Sequence, residues 1–127
     1  MAKLYIEGGN RLSGKIKLQG AKNSALPILA ASFLIDGTTL LHNCPDLTDV
    51  RAAIKILKSL GSNCKQIGND VLINTKTPSC NTVSPELMRE MRSSVVFLGA
   101  ILSRCGKATI SAPGGCELGP RPIDMHL

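Results

Sequence analysis

Two local groupings in the 127-residue chain hold side chains that can do chemistry. In PGGCELGPRP, residues 113–122, Cys116 stands among glycines and prolines, a composition that excludes a helix or strand interior and specifies an exposed loop able to move. A thiol flanked by glycine N–H groups, with Arg121 further along the loop, can serve as an acid or a nucleophile. On composition alone an inert loop cysteine is the simpler alternative. The second grouping is Gly20-Ala21-Lys22-Asn23, a glycine turn leading into an apolar run. Exposed amides at a helix entrance favour anions, Lys22 adds a point charge, and Asn23 can donate to a carbonyl or hydroxyl. Spacing alone favours a helix cap with an exposed lysine, and no G-x-x-x-x-G-K-[ST] phosphate loop occurs.

The remaining reactive types are less suggestive. Arg92, in MRSS, can reach an anion or simply face solvent, and His42 and His126 have no acid or serine at a telling spacing. Asp46 and Asp49 read as a helix cap and a first-turn acid. Five cysteines without a C-x-x-C pair argue against a zinc site or a disulfide framework, so no metal is expected.

A formal charge of +6 points to anionic partners, but aromatic residues are only 2% of the chain. Single-strand nucleic-acid binders stack bases on aromatic rings, so small phosphorylated ligands fit better and no nucleic-acid partner is expected. No run approaches the ~20 apolar residues that cross a bilayer, and MAKLYIEGG lacks a secretory core. A cytoplasmic protein without membrane association is the expectation.

These groupings must be positioned by alternating elements. Residues 3–7 and 15–19 (KIKLQ) have the two-residue period of half-buried strands. Residues 23–35 (NSALPILAASFLI) read as a buried helix, with Asn23 and Ser24 as cap candidates and Pro27 in or near its first turn. A strand at 38–42 follows, then a helix capped by Asp46 and running to Leu60. Its apolar stripe is Leu47, Val50, Ile54, Leu57 and Leu60, opposite Arg51, Lys55 and Lys58, with Gly61 as its stop. Residues 63–67 and 70–74 flank Gly68-Asn69 as a hairpin. Ser84-Pro85-Glu86 starts a helical stretch to Cys105, interrupted near Arg92-Ser93-Ser94 and closed by Gly106. A strand at 107–111 (KATIS) then opens a second cycle that Leu127 cuts short, which points to a longer polypeptide.

LYIEGGNRLSGKIKLQGAKN, GAKNSALPILAASFL, LLHNCPDLTDV and MRSSVVFLGAILSRCGKATISAPGGCELGPRPIDMHL closely resemble the N-terminal part of the bacterial UDP-N-acetylglucosamine 1-carboxyvinyltransferases. The resemblance covers essentially the whole chain, and AKN, PGGC and RPIDMHL stand in that family's order. It implies an inside-out α/β barrel built from βαβαββ repeats with helices inside, of which only the N-terminal part is present. Residues 1–20 are implied to be strands of a second, mostly C-terminal domain, and residues 21–127 a partial first domain.

The implied reaction transfers enolpyruvyl from phosphoenolpyruvate to the 3-hydroxyl of UDP-N-acetylglucosamine, releasing phosphate. It opens peptidoglycan synthesis, and so serves cell wall biogenesis, cell shape and cell division, and it needs no cofactor. Protonation at C3 makes C2 electrophilic, the sugar hydroxyl adds, and loss of the C3 proton expels phosphate, a sequence that calls for an acid, cations and a base. The resemblance makes Cys116 the proton donor, the site of a covalent phosphoenolpyruvate adduct, and the residue alkylated by fosfomycin. Lys22 is implied to be catalytic, binding phosphoenolpyruvate and helping to close the active site, Asn23 to contact the sugar nucleotide, and Arg92 and Arg121 to line the site. Arg121, Pro122, Ile123, Asp124 and Met125 are implied to meet the uridine end, Ile123 and Met125 being conservative departures from the family pattern. The base and further arginines are implied to lie outside these residues. The shikimate-pathway enolpyruvyl transferases are the nearest competitor, opposed by the Cys116 loop. A non-catalytic sugar-nucleotide-binding piece is the alternative of another class.

Overall fold

The computed structural model describes residues 3–91 and 93–111. Seven elements follow in the order α1 (Lys22–Ser32), β1 (Gly37–Leu41), α2 (Thr48–Ser59), β2 (Asn63–Ile67), β3 (Asp70–Thr75), α3 (Pro85–Glu90) and α4 (Val96–Cys105). The strands form one antiparallel sheet in the order β1-β3-β2. β3 is central because the β2–β3 hairpin turns at Gly68-Asn69 and β1 pairs with its far edge, placing Leu41 opposite Val71 and Cys64 opposite Ile73. Val71, Ile73 and Thr75 point to the helices and are buried, as alternation along a half-buried strand requires.

The core lies between this face and the helices, with Leu29, Phe33, Ile56, Leu57, Leu60, Met88, Phe97 and Ile101 fully enclosed. α1 packs on α2 and α4, and α2 on α3 and β2. Two buried hydroxyls, Ser62 Oγ and Thr75 Oγ1, bond to each other at 2.6 Å, so the polar pair below the sheet is satisfied.

Local signals act much as their chemistry requires. Ser84 caps α3 with its Oγ accepting the Leu87 N–H at 3.4 Å, and Pro85 takes the first helical position, where no N–H is needed. The helical stretch breaks at Met91, whose backbone is extended, and buried Ser94 donates to the Met88 carbonyl across the break. Gly61 ends α2 at φ +99°, and a Cβ there would stand 2.7 Å from the Ser79 backbone nitrogen, so this stop also seats the loop before α3.

Several expectations are corrected. Residues 3–7 and 15–19 are not strands among the described residues; the segment has no regular structure, and Leu4, Tyr5, Ile6, Leu12, Ile16 and Leu18 are more than four-fifths exposed. Strand-period sequence cannot hold a strand without a partner backbone to take its amides. Residues 107–111 make only a single parallel bridge, Thr82 to Thr109, for the same reason.

Asn23 and Ser24 do not cap α1. Ala21 does, its carbonyl accepting from Ser24 and Ala25, so both polar residues are already helical. Pro27 consequently sits inside the helix rather than in its first turn, and it has no N–H to close the i→i−4 bond to the Asn23 carbonyl. The run 23–35 is not buried all round: Ile28 in α1, and Leu34 and Ile35 just after it, remain nearly half exposed. Asp46 does not cap α2 either. Leu47 holds that place, and the Asp46 carboxylate is taken by both Nε and Nη2 of Arg51 at 2.6 and 2.7 Å. The expected stripe of α2 holds at Val50, Leu57 and Leu60, which are buried, with Ile54 half-buried; it widens to take in Ala52, Ala53 and Ile56, and only Leu47 is left exposed.

Candidate functional site

The Gly20–Asn23 motif is held from below. Gly20 lies against the corner between β1 and α2 so closely that a Cβ would overlap the Asn43 carbonyl oxygen. That corner is itself fixed. Asn43 takes a left-handed conformation at φ 53°, and its N–H donates to Asp70 Oδ1 at 3.0 Å. The other carboxylate oxygen of Asp70 meets His42 Nδ1 at 2.8 Å, and Cys44 N–H bonds to the Asn69 carbonyl at the hairpin tip. The Asn43 amide, and then His42, hold the Asp70 carboxyl below the usual carboxylate range. The hairpin thus anchors the corner, and the corner anchors the entry to α1.

Lys22 opens α1, where its ammonium opposes the positive end of the helix dipole. Its compensation is Asp49 in the first turn of α2, with Nζ to Oδ2 at 2.9 Å. The Lys22 side chain is 46% exposed and that of Asp49 only 21%, so the cation stays reachable while its counter-ion is sheltered. The first amides of each helix, Lys22 and Asn23 in α1 and Thr48 and Asp49 in α2, precede the first intrahelical bonds. The Lys22–Asp49 pair thus links the starts of α1 and α2 and leaves a half-exposed ammonium there.

Asn23 is exposed and lines a cleft of about 180 Å³ with Leu26, Pro27, Ser93 and Val96. This places Asn23 beside the start of the α4 segment, next in sequence to Arg92. Arg92 itself, and Cys116, Arg121, Pro122, Ile123, Asp124 and Met125, lie outside the described residues. Of the expected site residues, Lys22 and Asn23 are therefore the two that the structure places.

Three groupings escape sequence reasoning. Asp49 is the partner of Lys22 rather than only a first-turn acid. His42 does have an acid partner, Asp70, 28 positions away. Arg104 is the third. Its side chain is 11% exposed, and it donates to the carbonyls of Phe33, Thr75 and Lys76 at 2.8, 2.8 and 3.0 Å, with its guanidinium 5.8 Å from the centre of the Phe33 ring. One guanidinium so joins the ends of α1, β3 and α4. The only signal for it in the sequence is an arginine in the last turn of an apolar helix, which ordinarily reads as a dipole partner. Among the described residues no three His, Cys, Asp or Glu side chains gather as metal ligands, and no helix is long and apolar enough to cross a membrane.

Comparisons with known proteins agree with this architecture. The chain is 46% identical over 127 residues to a protein of Caldanaerobacter subterraneus subsp. tengcongensis named UDP-N-acetylglucosamine 1-carboxyvinyltransferase 2, covering all of this chain and 30% of that protein. Proteins of Desulforapulum autotrophicum and Acinetobacter guillouiae named UDP-N-acetylglucosamine 1-carboxyvinyltransferase are 46% and 45% identical, again with 100% of this chain and 30% of theirs covered. The chain spans about 30% of the length of these curated relatives. The enolpyruvyl transferase NikO from Streptomyces tendae shares the fold, with a TM-score of 0.72 and 26% identity over 80% of this chain and 24% of that one. The family described as EPSP synthase (3-phosphoshikimate 1-carboxyvinyltransferase) matches residues 6–127, nearly the whole chain, and the chain belongs to this family of enolpyruvyl transferases.

Proposed function

We propose that these residues form the N-terminal part of a UDP-N-acetylglucosamine 1-carboxyvinyltransferase, acting in the cytoplasm at the entry to peptidoglycan synthesis. The observation that carries the reading is Lys22, held at the start of α1 by Asp49 and still exposed, within a sequence 46% identical to enzymes of that name. In this reading Lys22 pairs with the phosphate or carboxylate of phosphoenolpyruvate, exchanging one carboxylate partner for an anionic ligand at little net cost. Asn23 contacts the sugar nucleotide from the cleft beside Ser93. Arg92 and Arg121 add cations, and residues 121–125 meet the uridine end. Cys116 delivers the proton to C3, forms the covalent adduct, and is the target of fosfomycin.

The exposed apolar side chains of residues 3–19 support a division in which residues 1–20 pair with a second domain and residues 21–127 build part of the first. The isolated 127 residues are then a binding piece without turnover.

The test is phosphate release from phosphoenolpyruvate by a protein that carries this chain within its full-length relatives' framework. Release that depends on UDP-N-acetylglucosamine, and falls in Lys22→Ala and Cys116→Ser, is the expected result. Undiminished turnover in both variants overturns the residue roles. The family's description favours one other acceptor, shikimate 3-phosphate, and turnover with it in place of the sugar nucleotide would replace the substrate assignment.

A further inference from the structure

Four cysteines lie among the described residues and fall into two environments. Cys44 and Cys64 are core residues, and burial pushes both thiols up, Cys64 to about 11, which keeps them protonated and unreactive. Cys80 and Cys105 are half-buried and line one cavity of about 400 Å³ together with Pro78, Ser79, Asn81 and Arg104.

The walls of this cavity are fastened at both ends. On one side the Thr109 N–H donates to the Asn81 carbonyl at 3.0 Å, and the Val83 N–H to the Thr109 carbonyl at 3.1 Å. On the other, Arg104, adjacent to Cys105, donates to the carbonyls of Thr75 and Lys76. The loop ahead of α3 is thereby tied alongside the end of α4, with one thiol on each wall. Cys80 Sγ accepts the Thr82 N–H at 3.3 Å and its S–H donates to the Thr82 carbonyl at 3.4 Å, both weak sulfur contacts that a rotation about the side chain releases.

We propose that Cys80 and Cys105 are a redox-closable dithiol site, oxidised by a hydroperoxide to an intramolecular disulfide. One thiolate attacks the peroxide, forming a sulfenic acid as the O–O bond breaks and the leaving oxygen departs as water or alcohol. The second thiol then attacks the sulfenic sulfur, forming the S–S bond and releasing water. Two electrons pass from the two sulfurs to the peroxide, and the two thiol protons end in the products. The bond staples the last turn of α4 to the loop before α3. In a reducing compartment such a bond is transient and signals oxidant exposure.

Treatment of the 127-residue chain with hydrogen peroxide, followed by peptide mapping without reductant, tests this. The expected product has lost the mass of two hydrogens, yields a Cys80–Cys105 linked peptide, and returns to the starting mass with dithiothreitol. Cys80→Ser and Cys105→Ser should each abolish the linked peptide, while Cys64→Ser should retain it. Retention of both free thiols overturns the proposal. So does linkage of either residue to another cysteine, or oxidation that stops at separate sulfinic acids.

Discussion

At the scale of single residues, Lys22 carries most of the argument, because its ammonium faces solvent from a helix end that already favours anions. A charged hydrogen bond to a phosphate or carboxylate contributes about 1.5–3 kcal/mol, so Lys22→Ala in the full-length protein should lower kcat/KM for phosphoenolpyruvate roughly 10- to 100-fold. Steady-state kinetics with phosphoenolpyruvate varied checks this. Asp70 belongs to the scaffold, not the chemistry. Its carboxyl is held low by the Asn43 amide and His42, so its contribution to stability is present above the unfolded carboxylate value of about 4 and is lost as pH falls through the lower folded value. Asp70→Asn should therefore lower Tm at neutral pH, and the gap from the parent protein should close as pH drops below about 4. Thermal melts across that range give the answer, and a gap that widens towards acid contradicts the assigned role.

Among the elements, the connection that matters most is the one Arg104 makes between the ends of α1, β3 and α4. Removing a nearly buried guanidinium leaves three carbonyls short of a donor, so Arg104→Ala should cost about 3 kcal/mol in urea unfolding. Arg51, whose pair with Asp46 is exposed, should cost much less when replaced by alanine. The same contrast shows what periodicity can reveal. The spacing in α2 identified a helix and its basic outer face correctly. The stripe itself holds at Val50, Leu57 and Leu60, and the additional burial of Ala52, Ala53 and Ile56 depends on how the neighbouring helices cross.

For the whole molecule, the decisive feature is the contrast between a closed core and uncovered apolar surface. Residues 3–19 expose six large apolar side chains, and Ile28 of α1 with Leu34 and Ile35 just beyond it are nearly half exposed. Patches of this kind mark contact with further protein. In the isolated chain, amides of residues 3–19 should exchange with deuterium at nearly unprotected rates, whereas those of β3 should be the slowest. Joined to the rest of a full-length relative, residues 3–19 should become protected. Continued free exchange there argues against the division at residue 20.

Much of the fold was legible in the sequence alone. Ser84-Pro85, Gly61, Gly106, the Gly68-Asn69 turn and the stripe of α2 each mark an element, because capping, turn geometry and periodicity act among residues only a few positions apart. The AKN and PGGC motifs likewise carried the family resemblance. Pairings over long separations were beyond such reading. Lys22 finds Asp49 across 27 positions, His42 finds Asp70 across 28, and Arg104 reaches the Phe33 carbonyl across 71. Strand-period residues at 3–7 and 15–19 failed as strands for the complementary reason, since a strand exists only when another backbone accepts its hydrogen bonds. Local chemistry therefore determined which elements can form, and the packing of distant elements decided which side chains meet at the start of α1.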